Sequence, residues 1–151
     1  MVLNDLDDLY RDPILDHCRH PRNNDRLESP DVSGRAVNPF CGDEVDFQIV
    51  LESGRVAHVG IQGVGCAINQ ASASMLSVAL AGKSPEEIQT LSDLFKDLMS
   101  GRDHSEEELN LLGELRSLSG IQSFPVRIKC TLLAWSALEE GMDGYRQEQA
   151  G

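Results

Sequence analysis

The fold is decided by the stretch VDFQIVLESGRVAHVGIQGV, residues Val45–Val64. In its first half, apolar side chains at every second position alternate with polar or smaller ones, which is the period of a half-buried strand. Glu52-Ser53-Gly54-Arg55 has the composition of a hairpin turn. The chain after it, Val56–Val64, is predicted to return as a second strand with Ala57, Val59 and Ile61 on one side. A shorter strand at about 32–37 would complete an antiparallel meander.

Helical patterns surround the predicted strands, and apolar spacing, capping boxes and glycine or proline stops predict five helices. Their approximate bounds are Leu6–His20, 67–83, 84–101, 105–120 and 123–141. Trp135 continues the apolar stripe of the last helix and is predicted to lie in the core, and a polar C-terminal tail is predicted from about residue 142. The predicted class is α+β: a small three-stranded antiparallel sheet with about five helices packed against it, in a single domain over 1–151.

Charge and hydropathy narrow the class of protein. The chain has 151 residues and a formal net charge of -12. Binding to nucleic acid or to anionic lipid relies on clustered Lys and Arg, so we expect no nucleic acid and no membrane among its partners. No stretch approaches the roughly eighteen apolar residues of a membrane span, and the acidic N-terminus differs from a basic and then apolar export signal. We therefore expect a soluble, cytoplasmic protein.

Three of the four cysteines stand in distinctive settings far apart in the chain. Glycine lies beside Cys41 and Cys66, which leaves space for an ion or a partner loop, and Asp43 places a carboxylate two residues after Cys41. Cys130 follows Arg127-Ile128-Lys129. Because no export signal is predicted, these thiols belong in a reducing compartment, where they serve as ligands or nucleophiles rather than as disulfides.

A zinc site is one interpretation of these residues, because Zn²⁺ favours thiolates and holds sulfur without oxidising it. Its predicted metal ligands are Cys41, Asp43, Cys66 and Cys130. Three thiolates and a carboxylate leave a formal charge of about -2, which calls for a nearby cation. Arg127 shares a helix face with Cys130 and is the predicted cation, ahead of Lys129. The spacing fits Cys66 and Cys130 equally well as small buried hydrophobes, so spacing alone does not decide.

A second group of metal-ligating residue types lies in the first predicted helix. Cys18 stands between His17 and His20, but those two histidines share a helix face that Cys18 does not share with both. We therefore expect a packed or partly exposed thiol here rather than a second metal site.

Longer strings carry a resemblance to a known family. They are NPFCGD at 38–43, GVGCAI at 63–68 with ASAS at 71–74, and LYR at 9–11 with DHCRHPRN at 16–23. Together they resemble the IscU/NifU family of iron-sulfur cluster assembly scaffolds over nearly the whole chain. Within that family the chain is most similar to the SufU branch, because the stretch between Cys66 and Cys130 is long. In addition, Lys129 stands where housekeeping scaffolds have a histidine before the last cysteine.

The resemblance implies a small antiparallel sheet with helices packed against it, and a zinc-containing sulfurtransferase acting in iron-sulfur cluster assembly. The implied partner is a cysteine desulfurase of the SufS type, a pyridoxal-phosphate (PLP) enzyme, with downstream Suf scaffold proteins as further candidates. Cys41 would accept the sulfur as a persulfide, and Arg127 matches the arginine that the SufU branch has before its last cysteine. The remaining ligands implied for zinc are Asp43, Cys66 and Cys130.

Other functions stay open at this stage. The alternative is a scaffold that assembles a labile [2Fe-2S] cluster on the same ligands, although the missing histidine weighs against it. A structural zinc domain without a reactive thiol is a third class. A hydrolytic zinc enzyme is disfavoured, because four protein ligands leave no place for an activated water.

Overall fold

A computed structural model of the chain describes residues 12–38, 42–65, 67–102, 105–123 and 125–150. Its sheet has three antiparallel strands in the order β1-β2-β3: β1 is Val32–Asn38, β2 is Asp43–Glu52 and β3 is Arg55–Val64. The predicted meander is therefore confirmed, and the apolar positions of β2 alternate with half-buried ones.

The described residues form five α-helices and one 3-10 segment. They are α1 Asp12–Arg19, α2 Ala67–Ala79, α3 Pro85–Met99, α4 Glu106–Leu112, the 3-10 segment Gly113–Ser123 and α5 Pro125–Ala150. The predicted fold class is confirmed. The predicted start of the first helix, at Leu6, lies outside the described residues. No helix within the described ranges is long and apolar enough to cross a bilayer.

The turn between β2 and β3 is built as its composition predicts. Ser53 and Gly54 both have positive φ, 53° and 74°, which suits the tight turn of a two-residue hairpin. The register shifts between Val50 and Leu51, so β3 carries an extra residue. As a result Val56 is buried and Ala57 only half-buried, while Val59 and Ile61 are buried.

Helix α5 lies against β1 and β2 and is held close to the sheet by two glycines. A Cβ added to Gly34 would lie 1.9 Å from the carbonyl oxygen of Ala137 and 2.6 Å from the amide nitrogen of Gly141. Gly141 was predicted to end this helix, and that prediction is wrong. The helix continues to Ala150 with Met142 buried, because Gly141 serves as a contact point with β1 rather than as a stop.

Two capping boxes begin α3 and α4 as predicted. Ser84 accepts a hydrogen bond from the Glu87 amide while the Glu87 side chain accepts one from the Ser84 amide, and Ser105 and Glu108 do the same. The predicted helix ends are less accurate. The second helix ends at Ala79 rather than Lys83, and α4 ends before Gly113 rather than at Gly120.

The core joins the sheet to α2, α3 and α5. Trp135 is fully buried and stacks on Phe95 with ring centroids 4.6 Å apart, so its predicted core position is confirmed. Where α2 crosses α5, the Ser72 hydroxyl donates a 2.7 Å hydrogen bond to the Thr131 carbonyl. This bond fixes α2 beside the turn of α5 that carries Cys130.

The capping carboxylate of α3 should make stability depend on pH. The pKa of Glu87 is lowered by the hydrogen bond from the Ser84 amide and by the one from the Arg55 guanidinium. A carboxyl with a lowered folded-state pKa stabilises the protein above its unfolded-state pKa, and this contribution is lost as pH falls through the folded-state pKa. We expect Glu87→Gln to lower the thermal midpoint at pH 7, and to lower it less and less as the pH falls through the folded-state pKa of Glu87. Glu86→Gln removes the same charge from the same helical turn and is the control; an equal shift for both variants would contradict this role of Glu87.

Candidate functional site

Asp43 begins β2 at the end of a tight connection from β1. It pairs with Asn38 across the two strands, and the Gly42 amide donates a 2.8 Å hydrogen bond to the Asn38 carbonyl. Gly42 has a φ of 76°, a conformation that glycine adopts without a steric cost. Glycine at position 42 therefore permits the bend of the chain before Asp43.

One oxygen of the buried Asp43 carboxylate, Oδ2, has no hydrogen-bond partner among the described residues. The residue as a whole is 6% exposed. An unpaired buried carboxylate is costly unless a cation or a donor reaches it. This position therefore fits a bound cation.

Gly65 and Asn69 meet Asp43 at the same place. A Cβ added to Gly65 would lie 2.5 Å from Asn69 Nδ2, 2.7 Å from Asp43 Cγ and 2.9 Å from Asp43 Oδ2. The absence of a side chain at Gly65 therefore lets the end of β3 pass directly beside the carboxylate. Asn69 was not predicted from the sequence, and the signal that could have found it is its position three residues after Cys66.

Cys130 reaches the interior from α5 and is 6% exposed. Arg127 and Lys129, the cations predicted to offset the charge of the site, both have exposed side chains on the same helix. Cys130 was interpreted from the sequence either as a zinc ligand or as a small buried hydrophobe. Its burial on the helix that packs against β1 and β2 is compatible with both interpretations.

Cys41 and Cys66 lie outside the described residues, so the predicted ligand set stays a prediction. In the chain, Cys41 is separated from Asp43 by one residue and Cys66 directly follows Gly65. Both cysteines are therefore close in the sequence to Asp43 or Gly65, the two residues that meet in the structure. Within 12–38, 42–65, 67–102, 105–123 and 125–150, no three His, Cys, Asp or Glu side chains form a metal-binding group.

The histidine and cysteine of α1 serve packing in the described structure. His17 is buried, and its ring nitrogens lie 2.8 Å from Ser74 Oγ and 2.9 Å from Glu114 Oε2. The Cys18 thiol is half-buried and donates to the Ala67 carbonyl at 3.3 Å, while His20 is exposed. The half-buried Cys18 agrees with the expectation of a packed or partly exposed thiol, and His17 connects α1 to α2 and to the 3-10 segment.

Comparison of the chain with known protein families identifies the class of protein to which this fold and site belong. The family model described as NifU-like N terminal domain matches residues 9–150, and the chain belongs to this family. The resemblance to the IscU/NifU iron-sulfur assembly scaffolds is therefore confirmed.

Named relatives narrow the similarity within the family. The chain is 39% identical to the zinc-dependent sulfurtransferase SufU of Bacillus subtilis, over 91% of this chain and 91% of that protein. It is 34% identical to the iron-sulfur cluster assembly scaffold protein IscU of Streptococcus pyogenes, over 94% of this chain and 87% of that protein. The crystal structure of FiSufU from Fervidobacterium islandicum AW-1 matches with a TM-score of 0.81 at 27% identity, covering 89% and 96% of the two chains.

Proposed function

We propose that this chain is a zinc-dependent sulfurtransferase for iron-sulfur cluster assembly. It would accept persulfide sulfur from a SufS-type cysteine desulfurase, a PLP enzyme, and pass it to downstream Suf scaffold proteins. The observation that carries the proposal is the buried carboxylate of Asp43, whose Oδ2 atom lacks a partner among the described residues, at the point where Gly65 leads into Cys66. The similarity to a relative named as a zinc-dependent sulfurtransferase supports the same conclusion.

The residues present fit zinc. The ligands would be Cys41, Asp43, Cys66 and Cys130, a set of three sulfur donors and one oxygen donor that suits a four-coordinate zinc site. Lys129 stands before the last ligand, so the chain offers an ammonium group there and no imidazole donor. Both Lys129 and Arg127 are cations on the helix that carries Cys130, and they would reduce the cost of a site with a formal charge of about -2.

The proposed reaction is a thiol exchange at Cys41. The Cys41 thiolate attacks the outer sulfur of the cysteine persulfide on the desulfurase, and a new sulfur-sulfur bond forms on Cys41. The original sulfur-sulfur bond breaks and the desulfurase cysteine leaves as a thiolate, so no oxidant is needed. Zinc, when bound, supplies a positive charge that stabilises the thiolate form of its ligands. Arg127 would help to stabilise the persulfide anion.

A second candidate function is supported by the similarity to relatives named as IscU scaffold proteins. On this alternative, the same ligands would hold a labile [2Fe-2S] cluster. The two functions differ in metal and colour: protein isolated without oxygen should be colourless with about one zinc per chain if it is a sulfurtransferase. Iron and sulfide in equal amounts, together with visible absorbance, would favour the scaffold.

Sulfur acceptance is the direct test of the proposal. We expect incubation with a SufS-type desulfurase and free cysteine, without reductant, to add sulfur to the zinc-loaded protein, with the added mass located on Cys41 by peptide mass spectrometry. The desulfurase should also release more alanine when this chain is present. A zinc-loaded protein that gains no sulfur and leaves the alanine yield unchanged would support a structural zinc domain instead.

Gly65→Ala should weaken zinc binding. The added methyl group would lie 2.7 Å from Asp43 Cγ and 2.5 Å from Asn69 Nδ2, so the carboxylate has to move from its place. Displacing a ligand or the group beside it lowers metal affinity by about 10- to 100-fold. Competition with a chromogenic chelator measures this change. Gly144→Ala is the control, because its added Cβ would meet nothing within 4 Å; equal zinc affinity in both variants would show that Asp43 is not a ligand.

A further inference from the structure

Asn69 is buried beside the proposed metal ligand Asp43, yet its side chain is incompletely hydrogen-bonded. The residue is 1% exposed, and its Oδ1 atom has no hydrogen-bond partner among the described residues. A buried amide oxygen without a partner destabilises the folded protein. A merely structural position would favour an apolar side chain of similar size, such as leucine, so the asparagine calls for another explanation.

The other end of the Asn69 amide, Nδ2, lies near the Asp43 carboxylate. Asn69 Nδ2 and Asp43 Oδ2 lie within 2.5 Å and 2.9 Å of the same point beside Gly65. The amide could in principle present either end by a half-turn about its last bond. An oxygen facing the carboxylate would be repelled, whereas the nitrogen can donate a hydrogen bond to it. The nitrogen end is therefore the one that suits Asp43.

Solvent does not fill this role at the described atoms. Asp43 Oδ2 and Asn69 Oδ1 are both withdrawn from water. A carboxylate that binds a metal through one oxygen usually has a hydrogen-bond donor that fixes its orientation, and the loss of such a donor weakens binding. The Asn69 amide is a side-chain donor placed beside Asp43 at Gly65.

We propose that Asn69 is a positioning residue of the metal site: its Nδ2 group donates a hydrogen bond to the Asp43 carboxylate when zinc is bound and holds Asp43 as a one-oxygen ligand. The proposal rests on the zinc site proposed above. On this proposal, the hydrogen bond from Asn69 slows the dissociation of the Asp43 carboxylate from zinc. Asp43 is the oxygen donor of the set and the ligand that zinc holds less firmly than a thiolate.

The test compares zinc release with stability of the zinc-free protein. Asn69→Leu keeps the size of the side chain and removes the donor, so zinc should dissociate about tenfold faster to a chelator. The thermal midpoint of the zinc-free variant should be unchanged or higher, because an unpaired polar atom has been removed. Asn69→Ala is the second variant should leucine disturb folding. Ser77→Ala is a buried polar change further along α2, at a hydroxyl that bonds to Ser74 and Asn23, and it should leave the release rate unchanged.

A double variant shows whether Asn69 acts through Asp43. Asp43→Cys keeps four ligands and removes the carboxylate, so adding Asn69→Leu to it should change the release rate less than twofold. A tenfold effect that persists in the Asp43→Cys background would overturn the proposal, as would a lower zinc-free stability with an unchanged release rate. Wild-type protein that binds no zinc at all would instead refute the proposed function, together with this inference.

Discussion

Cys41→Ser is expected to abolish the accumulation of sulfur on this protein when a SufS-type desulfurase and cysteine are supplied. The physical reason is nucleophilicity: a cysteine beside a cation is present largely as thiolate, whereas a serine hydroxyl keeps its proton near neutral pH. Serine can neither attack a persulfide at a comparable rate nor form a stable sulfur adduct. Peptide mass spectrometry of the reacted protein, without reductant, measures the loss directly.

Cys18→Ser is the matched control for this prediction. The Cys18 thiol is half-buried and donates to the Ala67 carbonyl, a bond that a serine hydroxyl can also make. Sulfur uptake on Cys41 should therefore continue in this variant. Persulfide found on Cys18 in the wild type, and retained in Cys41→Ser, would transfer the acceptor role from Cys41 to Cys18.

Gly34→Ala is expected to destabilise the fold more than the same change at the other glycines whose surroundings the structure describes. The new Cβ would lie 1.9 Å from the Ala137 carbonyl oxygen and 2.6 Å from the Gly141 amide nitrogen. Both atoms belong to the backbone of α5 and cannot rotate away, so the helix and β1 must separate. We expect a loss of about 3 kcal/mol or more in the free energy of unfolding, at the upper end of what overpacking costs. Urea unfolding followed by circular dichroism measures it.

Gly144→Ala tests the same helix without the clash. Its added Cβ meets no atom within 4 Å, and alanine is a better helix former than glycine by about 0.5–1 kcal/mol. This variant should be as stable as the wild type or slightly more stable. If Gly34→Ala and Gly144→Ala unfold at the same urea concentration, the close contact between α5 and β1 does not exist in solution.

Much of the fold could be predicted because the relevant signals are local. The meander was predicted from the alternating apolar residues of β2 and from the turn at Ser53 and Gly54. The starts of α3 and α4 were predicted from the two capping boxes. In each of these cases the information lies within about ten residues of the element that it specifies. The same is true of Gly42, whose positive φ precedes Asp43.

The features that were missed depend on contacts between distant parts of the chain. Gly141 resembles a helix stop in sequence, but its contact with β1 depends on Gly34, more than a hundred positions away. His17 gives no local sign that it will meet Ser74 and Glu114. For the candidate site, the sequence could name Asp43 and the cysteines, whereas the unpaired atoms of Asp43 and Asn69 became visible only when β2, β3 and α2 were assembled.

The glycine contact between α5 and β1 also sets the lengthwise position of α5 on the sheet. Cys130 lies eleven residues before Gly141, which is about 16 Å along a helix axis. At Gly34 the backbone of β1 lies directly against the backbone of α5, so the helix cannot slide along the strand without a steric clash. The contact at Gly34 and Gly141 therefore helps to fix the position of Cys130, which lies on the same helix. A substitution at Gly34 or Gly141 can therefore move the Cys130 sulfur without contacting it.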